Sequence, residues 1–185
     1  MANERETVDT AYAGDIIGIY DTGNFQIGDT ITDRREPLFF EPLPTFPPEL
    51  FAEARPKSSM QGKHFQKGVE QLAQEGAVQV YRNEYNEVIV GAVGQLQFEV
   101  FEYRIRNEYN TDLSMRKLDF SLTRWIKPEQ LEDVRDAIDS RELLVYDRQG
   151  RPLLLFANQF TLNYFMQRHK KIELIDSFDI ESELA

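Results

Sequence analysis

The chain has 185 residues, enough for one large domain or two small ones with a buried core, and 41% of the residues are hydrophobic. Its apolar runs are too short to cross a membrane, and the absence of cysteine excludes disulfides, thiolate catalysis and cysteine zinc sites. The formal net charge of −11 disfavours DNA or RNA as an average partner, which leaves protein or small molecule as the default expectation. The first ten residues are polar and hold no signal-peptide core, so a cytoplasmic location is expected.

The first 36 residues are predicted to be a small β piece. Two short apolar runs, residues 15–20 and 25–32, predict strands on either side of a turn-rich segment. Two or three strands cannot bury two faces alone, so this piece is expected to be the end of a larger β structure. A proline-dense stretch, residues 41–50, then predicts an extended connector, with a possible strand at residues 38–46.

The rest of the chain alternates predicted strands and helices. The predicted helices are residues 58–74, 96–110, 128–140 and 159–168, and the predicted strands are residues 78–82, 87–93, 112–118, 120–126, 143–146, 152–156 and 172–178.

Residues 96–110 have two interpretations, because apolar residues recur both at period two and at spacings of three and four. As a helix, they give residues 37–118 and 119–178 the same β-α-β-β-α-β order, the ferredoxin-like α+β arrangement. As a strand, they turn the first half into an antiparallel meander. No residue-level similarity between the two halves is apparent.

No string in the chain predicts a nucleotide-binding or catalytic site. The phosphate-loop patterns GxxxxGK[ST] and GxGxxG are absent, and residues 91–94 (GAVG) lack the lysine and hydroxyl that hold a phosphate and Mg²⁺. The only histidines, His64 and His169, have no metal-ligand spacing. Acidic residues such as Glu132 and Asp136 alternate with basic ones, which is typical of a solvated helix face. These observations indicate a binding or structural module without catalytic, cofactor or metal residues.

Positive charge is concentrated in two places of this acidic chain. Residues 54–69 contain no acid but four cations and a histidine, namely Arg55, Lys57, Lys63, Lys67 and His64. A second basic cluster occupies residues 168–171. Each is either a solvated face or a local anion-binding surface.

Several strings, taken together, resemble the bacterial class II peptide chain release factors, which are translational GTPases. Residues 11–20 and 25–32 look like the closing strands of the β-barrel second domain of translational GTPases. The strings that resemble the release factors themselves follow in the family's order: residues 44–51, 71–80 and 90–100, then Glu108-Tyr109-Asn110 and Arg124-Trp125. Beyond Ile126 the resemblance becomes one of pattern alone.

The resemblance implies that residues 1–36 are the end of the barrel domain and residues 37–185 a carboxy-terminal α/β domain. It implies a preceding GTPase domain, missing from this chain, that would bind GTP or GDP with Mg²⁺, so no catalytic or cofactor residue is carried over. The implied partners are the ribosome, through rRNA and ribosomal proteins, and the class I release factors, whose dissociation these GTPases drive in translation termination.

Two groups of residues take an expected role from this resemblance. Arg55, Lys57, Lys63, His64 and Lys67 are the candidate ribosome-facing surface, since phosphate contacts need only a local cationic patch. Gly91, Gly94, Gln95 and Leu96 match the family's strand–glycine–helix junction, where small residues would let the helix begin close to the sheet.

The resemblance also favours a helix at residues 96–110. Leu96, Val100 and Tyr103 would lie on one face and Phe98, Phe101, Ile105 and Tyr109 on the opposite face, which predicts a helix buried on two sides. Three other functions remain open: a fragment of an elongation-factor-G-like GTPase, a free-standing enzyme that uses the acidic helix, and a small-molecule-binding regulatory module of ferredoxin-like type.

Overall fold

The computed structural model describes residues 7–20, 25, 28–36, 38, 40 and 46–176. Its strands and helices run in the order β1 (Leu50–Pro56), α1 (Gly62–Gln74), β2 (Gln79–Asn83), β3 (Val88–Ala92), α2 (Gln95–Tyr109), β4 (Leu113–Leu118), β5 (Leu122–Ile126), α3 (Leu131–Ala137), β6 (Glu142–Tyr146), β7 (Pro152–Phe156), α4 (Gln159–Arg168) and β8 (Leu174–Ile175). Short 3₁₀ turns, Ser59–Gln61 and Pro128–Gln130, lead into α1 and α3. No helix in the described part of the chain is both long and apolar enough to cross a membrane.

The strands form one antiparallel sheet with the order β4-β1-β3-β2-β6-β7-β5-β8. Each half has the element order β-α-β-β-α-β and the ferredoxin-like strand order, in which the fourth strand of the half lies beside the first. The halves join through β2 and β6, where Arg82 lies opposite Tyr146 and Asn83 opposite Val145. The predicted α+β ferredoxin-like fold is therefore confirmed, together with its two-halved pattern.

The core of the described residues consists of three clusters of buried hydrophobic side chains. One cluster, which includes Phe65 of α1 and Phe101 of α2, lies between these helices and the first half of the sheet. A second cluster, which includes Phe165 of α4, lies between α3, α4 and the second half. The third contains buried residues from all eight strands, among them Phe51 and Trp125, so the helix-free faces of the two halves pack on each other.

The strands predicted in the first 36 residues are not found. Residues 7–20 and 28–36 contain no strand, and the side chains of Ile16 and Tyr20 are 101% and 92% exposed. A strand needs a neighbour for its backbone hydrogen bonds, and no described strand pairs with this segment. Residues 21–24 and 26–27 lie outside the described residues, and the assignment of residues 1–36 to a barrel domain remains a prediction.

The first observed strand, β1, lies after the predicted one. Residues 39 and 41–45 of the predicted strand at 38–46 lie outside the described residues, whereas Leu50–Pro56 pairs with both β3 and β4. Alanine and glutamate at positions 52–54 have low strand propensity, so the local sequence gave no strand signal here. Backbone pairing with β3 on one side and β4 on the other makes this segment a strand inside its half of the sheet.

Residues 95–109 form a helix, as predicted, but only one of its two apolar faces is buried. Phe98 and Phe101 are buried against the sheet, whereas Leu96, Val100 and Tyr103 are 70%, 42% and 67% exposed. The prediction of burial on two sides is wrong because the other half packs on the helix-free face of the sheet. No layer of described residues covers the outer side of α2.

The structure reveals a 64-residue repeat that the sequence alone did not disclose. The matched positions are Asn83 and Asp147, Asn86 and Gly150, Gln95 and Gln159, Phe101 and Phe165, and Arg104 and Arg168. In both β-hairpins the first side chain of the turn accepts hydrogen bonds from the backbone two and four residues later. The halves therefore correspond at a constant offset of 64 residues, from the residues after α1 to the middle of α2 and from the residues after α3 to the end of α4.

Candidate functional site

The end of β1 and the turn after it position the first cations of the candidate surface. Arg55 is exposed and lies opposite Ser114 of β4. The backbone N–H of Lys57 donates to the carbonyl of Asp112 at 2.8 Å. Gln61 Nε2 donates to the carbonyl of Asn110 at 2.9 Å, so the segment from β1 to α1 is fixed against the loop between α2 and β4.

The first half of α1 presents the remaining members of the group. Phe65 and Leu72 are buried on the side that faces the sheet. Lys63, His64 and Lys67 are exposed on the other side, within an arc of about 100° because a helix turns by about 100° per residue. We call Arg55, Lys57, Lys63, His64 and Lys67 together the α1 basic surface.

The charge of the α1 basic surface is not neutralised within the described part of the chain. None of its cations forms an ion pair with a described acid, although exposed acids are abundant. Eight arginines elsewhere are instead paired with carboxylates, namely Arg82, Arg104, Arg106, Arg116, Arg124, Arg135, Arg141 and Arg151. A region of positive potential therefore remains on a chain whose net charge is strongly negative.

An open groove of about 510 Å³ adjoins this surface. It lies between His64, Lys67 and Gln71 of α1 and the end of α2 with the residue after it, where Glu108, Tyr109 and Asn110 line it. Arg104 binds Glu108 through two hydrogen bonds of 2.7 Å, which offsets the negative charge of this carboxylate. The groove thus combines a lysine, an imidazole, a phenol ring, two amides and a carboxylate paired with Arg104 on its walls.

The predicted junction residues lie where β3 passes into α2. Gly91 is buried in β3, where an added Cβ would lie 2.9 Å from atoms of Pro48 and 3.0 Å from Tyr81. Gly94 caps α2 and has open space around it, while Gln95 and Leu96 are exposed in the first turn. The close approach at Gly91 therefore involves neighbouring strand and loop residues and not α2.

The acidic residues that could have formed a catalytic or metal site are dispersed. Glu132 pairs with Arg135 at 2.6 Å on the exposed side of α3, and Asp136 is exposed. Among the residues that the structure describes, no group of three or more histidine and acidic side chains is arranged to hold a metal ion.

Comparison with known proteins identifies the family. The sequence model described as "Class II release factor RF3, C-terminal domain" matches residues 40–166. The chain belongs to this family of class II release factor domains. The resemblance found in the sequence is therefore confirmed, including beyond Ile126, where the motifs had become indistinct.

The curated relatives of this class II release factor domain share one protein name. The chain is 52% identical to "Peptide chain release factor 3" of Listeria welshimeri over 175 residues and 51% identical to that of Lacticaseibacillus casei over 175 residues. These matches cover 94% of the chain and 33% of each relative. The chain therefore spans about a third of the length of the curated relatives it matches.

A further group of side chains in this class II release factor domain escaped the sequence reasoning. The sequence predicts a basic cluster at residues 168–171 but does not join it to Arg141 and Tyr164, whereas in the structure Arg141 and Arg168 both lie over the Tyr164 ring. Arg141 lies in the turn just before β6 and is 27 residues from Arg168, so no local pattern links them. No signal in the sequence alone joins Arg141, Tyr164 and Arg168, because the repeat becomes visible only once the strands are aligned.

Proposed function

We propose that this chain is the ribosome-facing, carboxy-terminal part of a release factor GTPase that promotes dissociation of class I release factors in translation termination. Its membership of the class II release factor family carries this proposal. The relatives that share about half of its residues are named peptide chain release factor 3. In this function the chain works in the cytoplasm with rRNA and ribosomal proteins as partners.

The α1 basic surface is the part of the chain that contacts the ribosome in this proposal. Its cations are exposed and have no described acidic partner, so they are available for phosphate oxygens. Phosphate contacts act locally because charges are screened beyond about 8 Å at physiological salt. The acidic remainder of the chain is therefore compatible with binding to rRNA.

The chain itself carries no catalytic step in this proposal. GTP or GDP with Mg²⁺ belongs to another part of the full-length protein, and these 185 residues supply binding surface. Isothermal titration of this chain with GTP and with GDP tests the statement. Tight binding of either nucleotide would contradict it.

Ribosome binding by a full-length release factor with this domain tests the role of the α1 basic surface. The variant Lys57→Glu/Lys63→Glu/Lys67→Glu should bind ribosomes more weakly and show a smaller dependence of affinity on salt concentration. Each lost phosphate contact is expected to lower the slope of log affinity against log salt by roughly 0.7 to 0.9. The rate of class I factor dissociation should fall in parallel.

A matched variant separates a local effect from net charge. Arg35→Glu/Lys117→Glu/Arg148→Glu reverses three exposed cations elsewhere that have no described acidic partner. This control should bind ribosomes with the slope of the unmodified protein. If both triple variants lowered the slope equally, or neither did, the α1 basic surface would have no specific role.

A further inference from the structure

At the carboxyl end of α4, the ring of Tyr164 lies beneath two arginines, Arg168 of α4 and Arg141 of the turn before β6. The guanidinium carbon of Arg141 is 4.6 Å from the ring centre of Tyr164, and that of Arg168 is 5.5 Å away. Attraction between a cation and an aromatic face orients both guanidinium groups. Arg141, followed by Arg168, lowers the pKa of the Tyr164 hydroxyl, as expected for two adjacent positive charges.

Two lysines extend this positive region along the loop after α4. Lys170 and Lys171 are exposed, and their backbone is held by a turn in which Ile172 N–H donates to His169 at 3.0 Å. The side chain of Gln130 binds the loop twice: it donates to the carbonyl of Lys171 at 2.8 Å and accepts from the N–H of Glu173 at 3.1 Å. A ligand that binds the lysines therefore meets a backbone that is already ordered, which lowers the entropic cost of binding.

The corresponding arginine in the first half shows how such a charge is neutralised when it has a structural role. Arg104 is held by Glu75 at 2.5 Å and by Glu108 at 2.7 Å. Glu75 follows α1, and Glu108 lies one turn beyond Arg104 in the longer helix α2. These two carboxylates offset the positive charge of Arg104.

In the second half, Arg168 has neither of the two carboxylate partners that neutralise Arg104. Asp139, the counterpart of Glu75 in the 64-residue repeat, binds Arg141 instead, with a 2.9 Å contact to its Nε. Helix α4 ends at Arg168, so no following turn supplies a counterpart of Glu108. Arg168 thus keeps the position of Arg104 but has no carboxylate within ion-pair distance among the described residues.

Stabilisation of the helix end explains only part of this arrangement. A cation in the last turn interacts favourably with the negative end of the helix dipole, which accounts for Arg168. Lys170 and Lys171 lie beyond the helix, and the effect of the dipole falls off within one turn. The dipole therefore does not account for Lys170 and Lys171, and an exposed excess of positive charge remains among the described residues at this end of α4.

We propose that Arg168, Lys170 and Lys171, with Arg141 and Tyr164, form an RNA-binding surface, here called the α4 basic surface. Arginine binds phosphate oxygens through two parallel hydrogen bonds, and lysine adds point charges along a backbone. Guanidinium planes and aromatic rings also stack on unpaired bases, which favours single-stranded segments of RNA over other polyanions. The surface extends the proposed function by a second RNA contact and does not depend on the α1 basic surface.

Binding of the 185-residue chain to polyuridylate at several salt concentrations tests this surface directly. Arg168→Gln/Lys170→Gln/Lys171→Gln should lower the slope of log affinity against log salt by about two, because each contact with single-stranded RNA contributes about 0.7. Affinity at low salt should fall at least about tenfold. Tyr164→Leu, which removes the ring but no charge, should weaken binding several fold at an unchanged slope.

Three comparisons decide the outcome. Arg35→Gln/Lys117→Gln/Arg148→Gln removes the same charge from other exposed sites and should leave the slope unchanged, with circular dichroism melts verifying that both variants fold. An unchanged slope in the α4 variant would overturn the proposal. So would equal competition by polyglutamate of matched charge, or preferential binding to phosphatidylserine vesicles. Because polyuridylate replaces the ribosome, this result is independent of whether the chain acts in translation termination.

Discussion

Gly68 of α1 lies directly against Tyr109 of α2. A methyl group at position 68 would come within 2.8 Å of the tyrosine ring and 2.6 Å of Ile105 Cδ1, closer than carbon atoms pack in proteins. Ile105 is fully buried, so this neighbour has little room to move. The absence of a side chain at Gly68 therefore permits the close contact of α1 and α2 beside the groove.

Gly68→Ala is expected to destabilise the protein, although alanine normally favours a helix. The helix propensity gain of up to about 1 kcal/mol is opposed by an overpacking cost of about 1–3 kcal/mol at this contact. We expect the free energy of unfolding, measured by urea titration, to fall by about 1 kcal/mol. Gly62→Ala is the matched control, since position 62 begins α1 and has open space around it. This control should be neutral or stabilising; equal effects of the two substitutions would contradict the packing argument.

Substitutions on the two faces of α2 should have very different effects on stability. Leu96→Gln and Tyr103→Gln change side chains that are 70% and 67% exposed, and each should alter the free energy of unfolding by less than about 0.5 kcal/mol. Phe101→Ala removes a fully buried ring and should cost about 3–5 kcal/mol. Urea unfolding of the three variants measures the contrast. A loss of several kcal/mol for Leu96→Gln would restore the idea of a helix buried on both sides.

The sequence predicted which segments are helices and strands better than it predicted what covers them. Local periodicity and turn residues identify β7 and α4, because these signals come from neighbours along the chain. For α2 the periodicity left strand and helix open, and the family resemblance favoured the helix. Burial of Leu96 depends on whether another layer packs outside α2, which no local pattern records. Strand β1 was missed for a related reason: its pairing with β3 and β4 outweighs the weak strand propensity of its central residues.

For the two basic surfaces, the sequence predicted runs of positive residues but not the side chains from other parts of the chain that join them. The cations of residues 54–69 could be recognised because they are close in sequence and lack interspersed acids. The contact of Arg141 and Arg168 with Tyr164 arises because the turn before β6 lies beside the end of α4, and it has no local signature. Identical residues at matched positions, such as Gln95 and Gln159, are too sparse to reveal the repeat before the strands are aligned.

Asp147 is expected to be important for the stability of the second half. Its carboxylate accepts from Trp125 Nε1 at 3.1 Å, from the backbone of Gln149 and Arg151 at 3.0 and 2.9 Å, and from Arg151 Nε at 2.7 Å. Asp147→Ala leaves these donors, including a buried indole N–H, without their acceptor. We expect a loss of about 2–3 kcal/mol in the free energy of unfolding, together with a changed Trp125 fluorescence spectrum.

The equivalent turn in the first half provides the control for Asp147. Asn83 caps the turn between β2 and β3 with the same two backbone hydrogen bonds, from Tyr85 and Glu87. It has no indole or guanidinium donor among its described partners. Asn83→Ala should therefore cost less than Asp147→Ala, and a reversed order would show that the contacts to Trp125 and Arg151 contribute little.

The buried hydroxyl of Tyr81 should make the protein less stable at high pH. Its side chain is 2% exposed, and burial, reinforced by the charge of Asp147, raises the pKa of its hydroxyl well above the usual value. Because the folded state holds this proton more tightly than the unfolded state, the stabilisation is complete below the unfolded-state pKa of about 10. It is lost as the pH rises from there through the folded-state pKa.

Urea titrations between about pH 8 and about pH 11 measure this loss as a falling free energy of unfolding. Tyr81→Phe removes the titrating group and should flatten the profile, while the loss of the 2.7 Å hydrogen bond to Gln79 lowers stability equally at every pH. Some slope should remain, because burial also raises the pKa of Tyr109. Tyr85→Phe is the control, since this side chain is 85% exposed, and it should leave the profile unchanged. If Tyr81→Phe kept the full alkaline slope, the buried hydroxyl would not be its source.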